Sequence, residues 1–270
     1  MIERLSFNQI TSKRASLRES VEACARHGVG WIAPWREPAA ELGLKESARL
    51  IRDCGLRISS LCRGGFFPAP SESERRARID DNLRAIDEAA ELGAPTLVLV
   101  CGPAPDRDLD AARAMVARGI EQIADRARQQ RVRLGIEPLH PMFAADRSVI
   151  VTLSQALDLA AQFDPAVAGV ILDVFHLWWD PRLYTELRRT SGRIFGLHVS
   201  DWAVPLPGIV TGRSMMGEGV IEIRRIRRAV DETGYTGPIE VEIMNEKIWA
   251  QPIDATFYQM IEAFRAFVID

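Results

Sequence analysis

Short apolar runs alternate along the whole chain with longer stretches in which apolar residues recur every three or four positions. The short runs have the length and content of buried strands, and the longer ones have the period of helices packed on one face. Eight strands are predicted: Leu5–Gln9, Gly30–Trp35, Arg57–Cys62, Thr96–Cys101, Val132–Glu137, Ala168–Asp173, Ile194–Ser200 and Pro238–Ile243. Between and after them the spacing predicts helices over 16–26, 39–54, 71–92, 109–129, 153–162, 181–190, 222–233 and 255–267. Local chemistry supports several boundaries. Ser71-Glu72-Ser73-Glu74 has the spacing of a capping box, in which side chains satisfy the free amides of a helix start. Gly55 and Gly93 stand just past the ends of two helical runs, where a left-handed residue is wanted.

Strict strand–helix alternation demands a parallel sheet with right-handed crossovers. Eight such units in 270 residues fit a single α/β domain over residues 1–270, a (β/α)8 barrel. An open dinucleotide-binding sheet would carry G-x-G-x-x-G after its first strand, and here that strand runs into Asn8-Gln9-Ile10-Thr11. With 47% apolar residues the chain can bury a large core, and at this size no disulfide or structural metal is needed. The four cysteines form no C-x-x-C pair, which fits buried thiols in a reducing, cytoplasmic setting. A net charge of −3 argues against a nucleic-acid partner. No apolar run approaches the roughly 20 residues that would span a membrane, and the N-terminus has no apolar leader segment.

Barrels of this kind place their active site at the C-terminal ends of the strands. Four successive predicted strands bring a metal-ligand side chain to that rim: Glu137, Asp173, His198 and Glu242. Three carboxylates and one imidazole suit one hard-to-borderline divalent ion, Mn²⁺ first, with Mg²⁺, Co²⁺ and Zn²⁺ as alternatives. By period-two alternation Glu240 and Glu242 both face the barrel interior. Glu242 is nearer the rim and is assigned to the metal; Glu240 is expected one layer deeper. Glu246 lies past the strand and is expected in solvent, and His27 falls at a helix end away from the rim.

At these residues the chain resembles the xylose-isomerase-like sugar isomerase/epimerase superfamily. The resemblance covers essentially the whole chain. It is strongest in Ile136-Glu137-Pro138, Asp173-Val174-Phe175-His176, Leu197-His198-Val199-Ser200-Asp201, Gly212-Arg213 through Gly219, and Gly234 through Glu242. It implies the same four metal ligands, with His176 and Arg213 as substrate-binding residues. It also implies a homodimer or homotetramer. Ketose epimerases of the family carry a second glutamate six residues beyond the strand-five ligand; here that place is Phe143. The family chemistry is isomerisation or epimerisation of a sugar, keto-sugar or polyol-derived substrate through an enediolate, with Glu137 and Glu242 as opposed acid and base. Arg36, Arg63 and His140 follow strands two, three and five and, with Trp35 at the end of strand two as part of an apolar wall, are candidate substrate contacts; arginine's planar fork suits a phosphate or carboxylate. Trp178, Trp179, Trp202 and Trp249 are candidates for an apolar wall around a sugar. A lyase or dehydratase would begin with the same proton abstraction and is the nearest rival. A phosphodiester hydrolase like endonuclease IV would need a histidine-rich cluster, and the chain has four histidines. A non-catalytic sugar-binding protein would have no use for opposed bases.

Overall fold

In the computed structural model, which describes residues 2–269, eleven strands and eleven α-helices follow one another. The strands are β1 (Leu5–Asn8), β2 (Trp31–Ala33), β3 (Arg57–Ile58), β4 (Leu61–Gly65), β5 (Thr96–Val100), β6 (Arg133–Glu137), β7 (Ala168–Asp173), β8 (Ile194–Val199), β9 (Asp201–Trp202), β10 (Arg213–Ser214) and β11 (Ile239–Val241). The helices are α1 (Leu17–Arg26), α2 (Arg36–Leu42), α3 (Leu44–Asp53), α4 (Glu72–Leu92), α5 (Leu109–Gln130), α6 (Leu153–Ala160), α7 (Val174–Leu177), α8 (Leu183–Leu187), α9 (Ile223–Glu232), α10 (Glu246–Trp249) and α11 (Ile253–Phe264).

Nine strands pair in parallel in the order β3-β2-β1-β11-β8-β7-β6-β5-β4. The two ends of this sheet are adjacent in sequence, being halves of the predicted Arg57–Cys62 strand, parted at Ser59-Ser60. A parallel bridge from Trp35 to Cys62 joins them, and the Cys62 amide donates to the Pro34 carbonyl at 3.2 Å. The sheet therefore closes as the predicted eight-stranded barrel. Alternate residues serve opposite faces. Leu97 and Leu99 join the large core between barrel and helices, whereas Val98 packs inside the barrel with Cys62, Ile171 and Phe195.

Several elements differ from the sequence reading. The second predicted helix is two, because Gly43 takes φ +92° between α2 and α3. A small antiparallel hairpin, β9 with β10, interrupts the βα alternation after β8. The capping box at Ser71 forms as expected: the Glu74 amide donates to Ser71 Oγ at 3.2 Å and the Ser71 amide to Glu74 Oε2 at 3.0 Å. Among the described residues no helix is long and apolar enough to cross a membrane.

Candidate metal centre

Four consecutive strands of the predicted barrel carry a polar residue to the rim. Glu137 closes β6, Asp173 closes β7, His198 stands one residue before the end of β8, and Glu242 follows β11. The registers place Asp173 opposite His198, and Glu240 opposite His198 from the other side. One ligand-type atom from each of Glu137, Asp173, His198 and Glu242 lies within 4.8 Å of the others, and all four side chains are buried. His198 Nδ1 is 3.4 Å from Glu137 Oε1 and 3.5 Å from Glu242 Oε2.

This set fits a divalent ion. Glu137 Oε1 and both ring nitrogens of His198 are buried and make no hydrogen bond, a costly condition unless another partner is intended, while Asp173 Oδ2 is answered by the Arg213 guanidinium. Oxygen donors with one imidazole match a hard or borderline cation rather than a thiophilic one.

The cluster's electrostatics follow from carboxylates gathered out of water. Burial, with the nearby charges of Glu242 and Asp173, pushes Glu137 up to about 7. Burial works the same way on Asp173, whose pKa is raised despite Arg213. Glu242 goes the other way: burial opposes it, but Arg213 and His198 hold its carboxyl below the ordinary range. Burial would discharge His198, yet the charge of Glu240 and the contacts with Glu137 and Glu242 lift it well above its usual value.

Arg213 and His176 complete the floor. Arg213 Nη1 is in ion-pair contact with Asp173 Oδ2 at 2.7 Å, and its Nη2 lies 3.3 Å from Glu242 Oε2 and 3.1 Å from His176 Nε2. The guanidinium also sits 4.6 Å from the Phe175 ring centroid, and the hairpin holds its backbone in place. Burial and the Arg213 charge push His176 well below its usual pKa, so a neutral imidazole accepts from Arg213 at Nε2. Phe143 meets His176 edge-on at 5.4 Å.

Above the carboxylates lies a cavity of about 60 Å³ bounded in part by Trp35, Cys62, Phe143, His176 and Arg213. Trp35, Arg63, Arg147, Val210 and Met244 line both this cavity and an adjoining cleft of about 660 Å³. Trp35 is fixed there by Asn8, whose Oδ1 accepts from the indole Nε1 at 2.8 Å.

Two expected substrate contacts lie elsewhere. Arg36 does not reach the cavity, because Asp81 and Glu88 of α4 take its guanidinium at 3.1 and 2.5 Å. His140 stands beside it, its ring 5.0 Å from Trp202 and 5.5 Å from Trp179, while its Nδ1 accepts from the Met142 amide at 3.2 Å. Of the tryptophans, Trp249 lines the outer cleft and Trp202 stacks on Phe175 at 4.8 Å. His27 pairs with Asp254 at 2.8 Å and stacks on Phe257, away from the metal cluster. Arg147, by contrast, stands on the cavity wall without having been expected. It sits in a loop ten positions past Glu137, and only the density of chemistry-bearing residues between Glu137 and Arg147 hints at it.

The chain belongs to the xylose isomerase-like TIM barrel family, whose model matches residues 21–266. Its relatives are enzymes. It is 30% identical over 257 residues to a 3-dehydroshikimate dehydratase of Pseudomonas aeruginosa, covering 90% of this chain but only 38% of that protein. It is 25% identical over 202 residues to an L-ribulose-5-phosphate 3-epimerase, UlaE, of Salmonella typhi, covering 73% of this chain and 68% of that one. Among solved structures, protein SMc04130 of Sinorhizobium meliloti 1021 matches over the full length of both chains at 45% identity and a TM-score of 0.97. An IolI protein with a bound zinc atom shares the fold at 18% identity, 98% coverage of each chain and a TM-score of 0.86.

Proposed function

We propose that this chain is a divalent-metal-dependent isomerase or epimerase of a small keto-sugar or related polyol-derived ketone carrying an anionic group. One observation carries the reading: the Glu137 and Glu242 carboxylates approach His198 Nδ1 at 3.4 and 3.5 Å and both border the same buried cavity. Glu137, Asp173, His198 and Glu242 would hold the ion, with Mn²⁺ the first expectation. A divalent ion there supplies Lewis-acid polarisation of a carbonyl and compensates charge developing on its oxygen.

The protein's own groups account for the rest. One of the two glutamates removes the proton next to the carbonyl, and the other returns one to the resulting enediolate, giving a new configuration or a shifted carbonyl. Arg213, fixed by Asp173, Glu242 and the Phe175 ring, presents a positive charge to the oxygen that becomes negative. Neutral His176 and the Phe143 ring border the same space and keep bulk water from it.

The cavity is too small for a whole sugar, so the remainder of a substrate would extend into the cleft past Arg63 and Arg147. Neither guanidinium has a carboxylate within ion-pair range among the described residues, and Arg147 Nε is buried without a hydrogen bond. Arg63 rests on the Phe66 ring at 4.3 Å. Two unpaired arginines beside one opening suit a phosphate or a carboxylate.

A second reading, a lyase that dehydrates a cyclic or linear keto acid, is favoured by the name of the Pseudomonas relative. Both reactions begin with the same proton abstraction. Proton exchange in D₂O, followed by NMR over a panel of keto-sugars, keto-sugar phosphates and hydroxylated keto acids, tests the first step and separates the outcomes. Exchange with epimer or isomer supports the first reading. Loss of water supports the second. No exchange over the panel with added Mn²⁺ would overturn both.

A further inference from the structure

We propose that Glu240 is the positioning residue of the metal centre: its carboxylate holds the His198 ring so that Nδ1 faces Glu137, Asp173 and Glu242. This rests on the reading of those four residues as a metal site.

The two nitrogens of His198 have different surroundings. Nδ1 faces the carboxylates of Glu137 and Glu242 at 3.4 and 3.5 Å, while Nε2 lies 3.3 Å from Glu240 Oε1, an ion-pair approach that does not have hydrogen-bond geometry. Glu240 and Glu242 are two apart at the end of β11, so both point into the barrel, Glu242 at the rim and Glu240 one layer below. Strand pairing sets Glu240 directly beside His198.

Glu240 is itself held from several directions. Asn8 Nδ2 donates to Oε1 at 2.7 Å, Ser59 Oγ to Oε2 at 2.8 Å, and Ser60 Oγ to Oε2 at 3.0 Å. These donors come from β1 and from the break between β3 and β4, which turns two hydroxyls towards the barrel axis. No lysine or arginine lies within ion-pair range of Glu240 among the described residues; its one ionisable partner is His198. A buried carboxylate is expensive where a neutral side chain could serve the same hydroxyls and amide. What the carboxylate adds is an acceptor oxygen beside Nε2. An acceptor on that side favours the tautomer with its proton on Nε2, which leaves the Nδ1 lone pair for a cation.

The test is metal affinity rather than turnover. Co²⁺ and Mn²⁺ binding is measured by chelator competition for the wild type, Glu240→Gln, His198→Asn and the double variant, with folding checked by circular dichroism. Glu240→Gln is expected to weaken binding by about 10- to 100-fold, and to have little further effect once His198 is Asn. Affinity unchanged in Glu240→Gln, or an equal loss in the His198→Asn background, overturns the proposal. Should Glu240→Gln not fold, the wild type still decides. Nitrogen-15 NMR of its four histidines with Zn²⁺ bound should show His198 protonated at Nε2 and coordinated through Nδ1, and the opposite arrangement overturns the role of Glu240. A wild type that binds no divalent ion instead overturns the metal-site reading itself.

Discussion

Arg213 Nη1 lies 2.7 Å from Asp173 Oδ2 with both side chains buried. The guanidinium comes from the β9–β10 hairpin and the carboxylate from the end of β7, so the pair ties the hairpin to the barrel rim and offsets part of the charge gathered there.

Replacing Arg213 by methionine should expose that balance. Removing one partner of a buried ion pair leaves an uncompensated charge and costs about 3–5 kcal/mol. The metal-free variant should therefore unfold at clearly lower denaturant concentration than the wild type. Saturating Mn²⁺ should narrow the gap, since a cation then answers Asp173 and Glu242. Parallel urea curves with and without the ion check this, and a gap indifferent to the ion would deny the shared electrostatics.

Metal affinity should climb with pH. Burial and the neighbouring carboxylates hold Glu137 near 7, and His198 is lifted well above its usual value against the cost of its own burial. Ligands must shed their protons to bind a cation. Glu137 is protonated in the metal-free protein below about pH 7 and its surroundings favour the protonated form of His198, so binding at acid pH must release protons and weakens as pH falls. Calorimetric titrations with Mn²⁺ from pH 5.5 to 8.5, in buffers of different ionisation enthalpy, should show rising affinity and net proton release at the acid end. A flat profile contradicts the assignment.

The cysteines should divide sharply. Burial pushes Cys101 up to about 12, and burial followed by the charges of Glu242, Glu240 and Glu137 raises Cys62 well above a free thiol. Cys24 is shut away in the same manner, while Cys54 is partly exposed. Since the thiolate is the reactive form, an alkylating reagent at pH 8 should modify Cys54 alone in the folded protein. Peptide mass mapping checks this, and rapid labelling of Cys62 would show a site more open than described.

Gly119→Ala offers a test of the packing behind β4. A Cβ on Gly119 of α5 would stand 2.3 Å from Phe67 Cδ1 and 2.9 Å from Phe67 Cβ, and Phe67 is fully buried. Alanine's better helix propensity, about 1 kcal/mol, competes with an overpacking cost of about 1–3 kcal/mol. Because the clash reaches the root of the phenylalanine side chain, a net loss of stability is expected. A raised Tm would mean that the α5 surface moves aside freely.

The barrel and the cluster of Glu137, Asp173, His198 and Glu242 were legible because both rest on local pattern. Val170-Ile171-Leu172-Asp173 is an apolar run ended by a carboxylate, and parity alone placed Glu240 beneath Glu242. What escaped depends on partners far along the chain. Arg36 looked available after β2, yet Asp81 and Glu88 capture it from a helix more than forty residues on. Arg147 carried no motif, and its place on the cavity wall is set by how the loop after β6 folds back. The β9–β10 hairpin spans two residues on each side, too few for any periodicity to register, and Gly43 broke a helix whose polar and apolar spacing continues straight through it.

The place of β11 in the interior of the sheet has a bearing on how the site assembles. Glu240 and Glu242 take their places through pairing of β11 with β1 and β8, so this strand must seat between one segment far away along the chain and one much nearer to it. Until it does, Glu137, Asp173 and His198 form a partial set with no Glu240 behind the imidazole. On the proposed reading, cation capture waits for β11 to seat, since without Glu242 only three of the four candidate ligands are assembled.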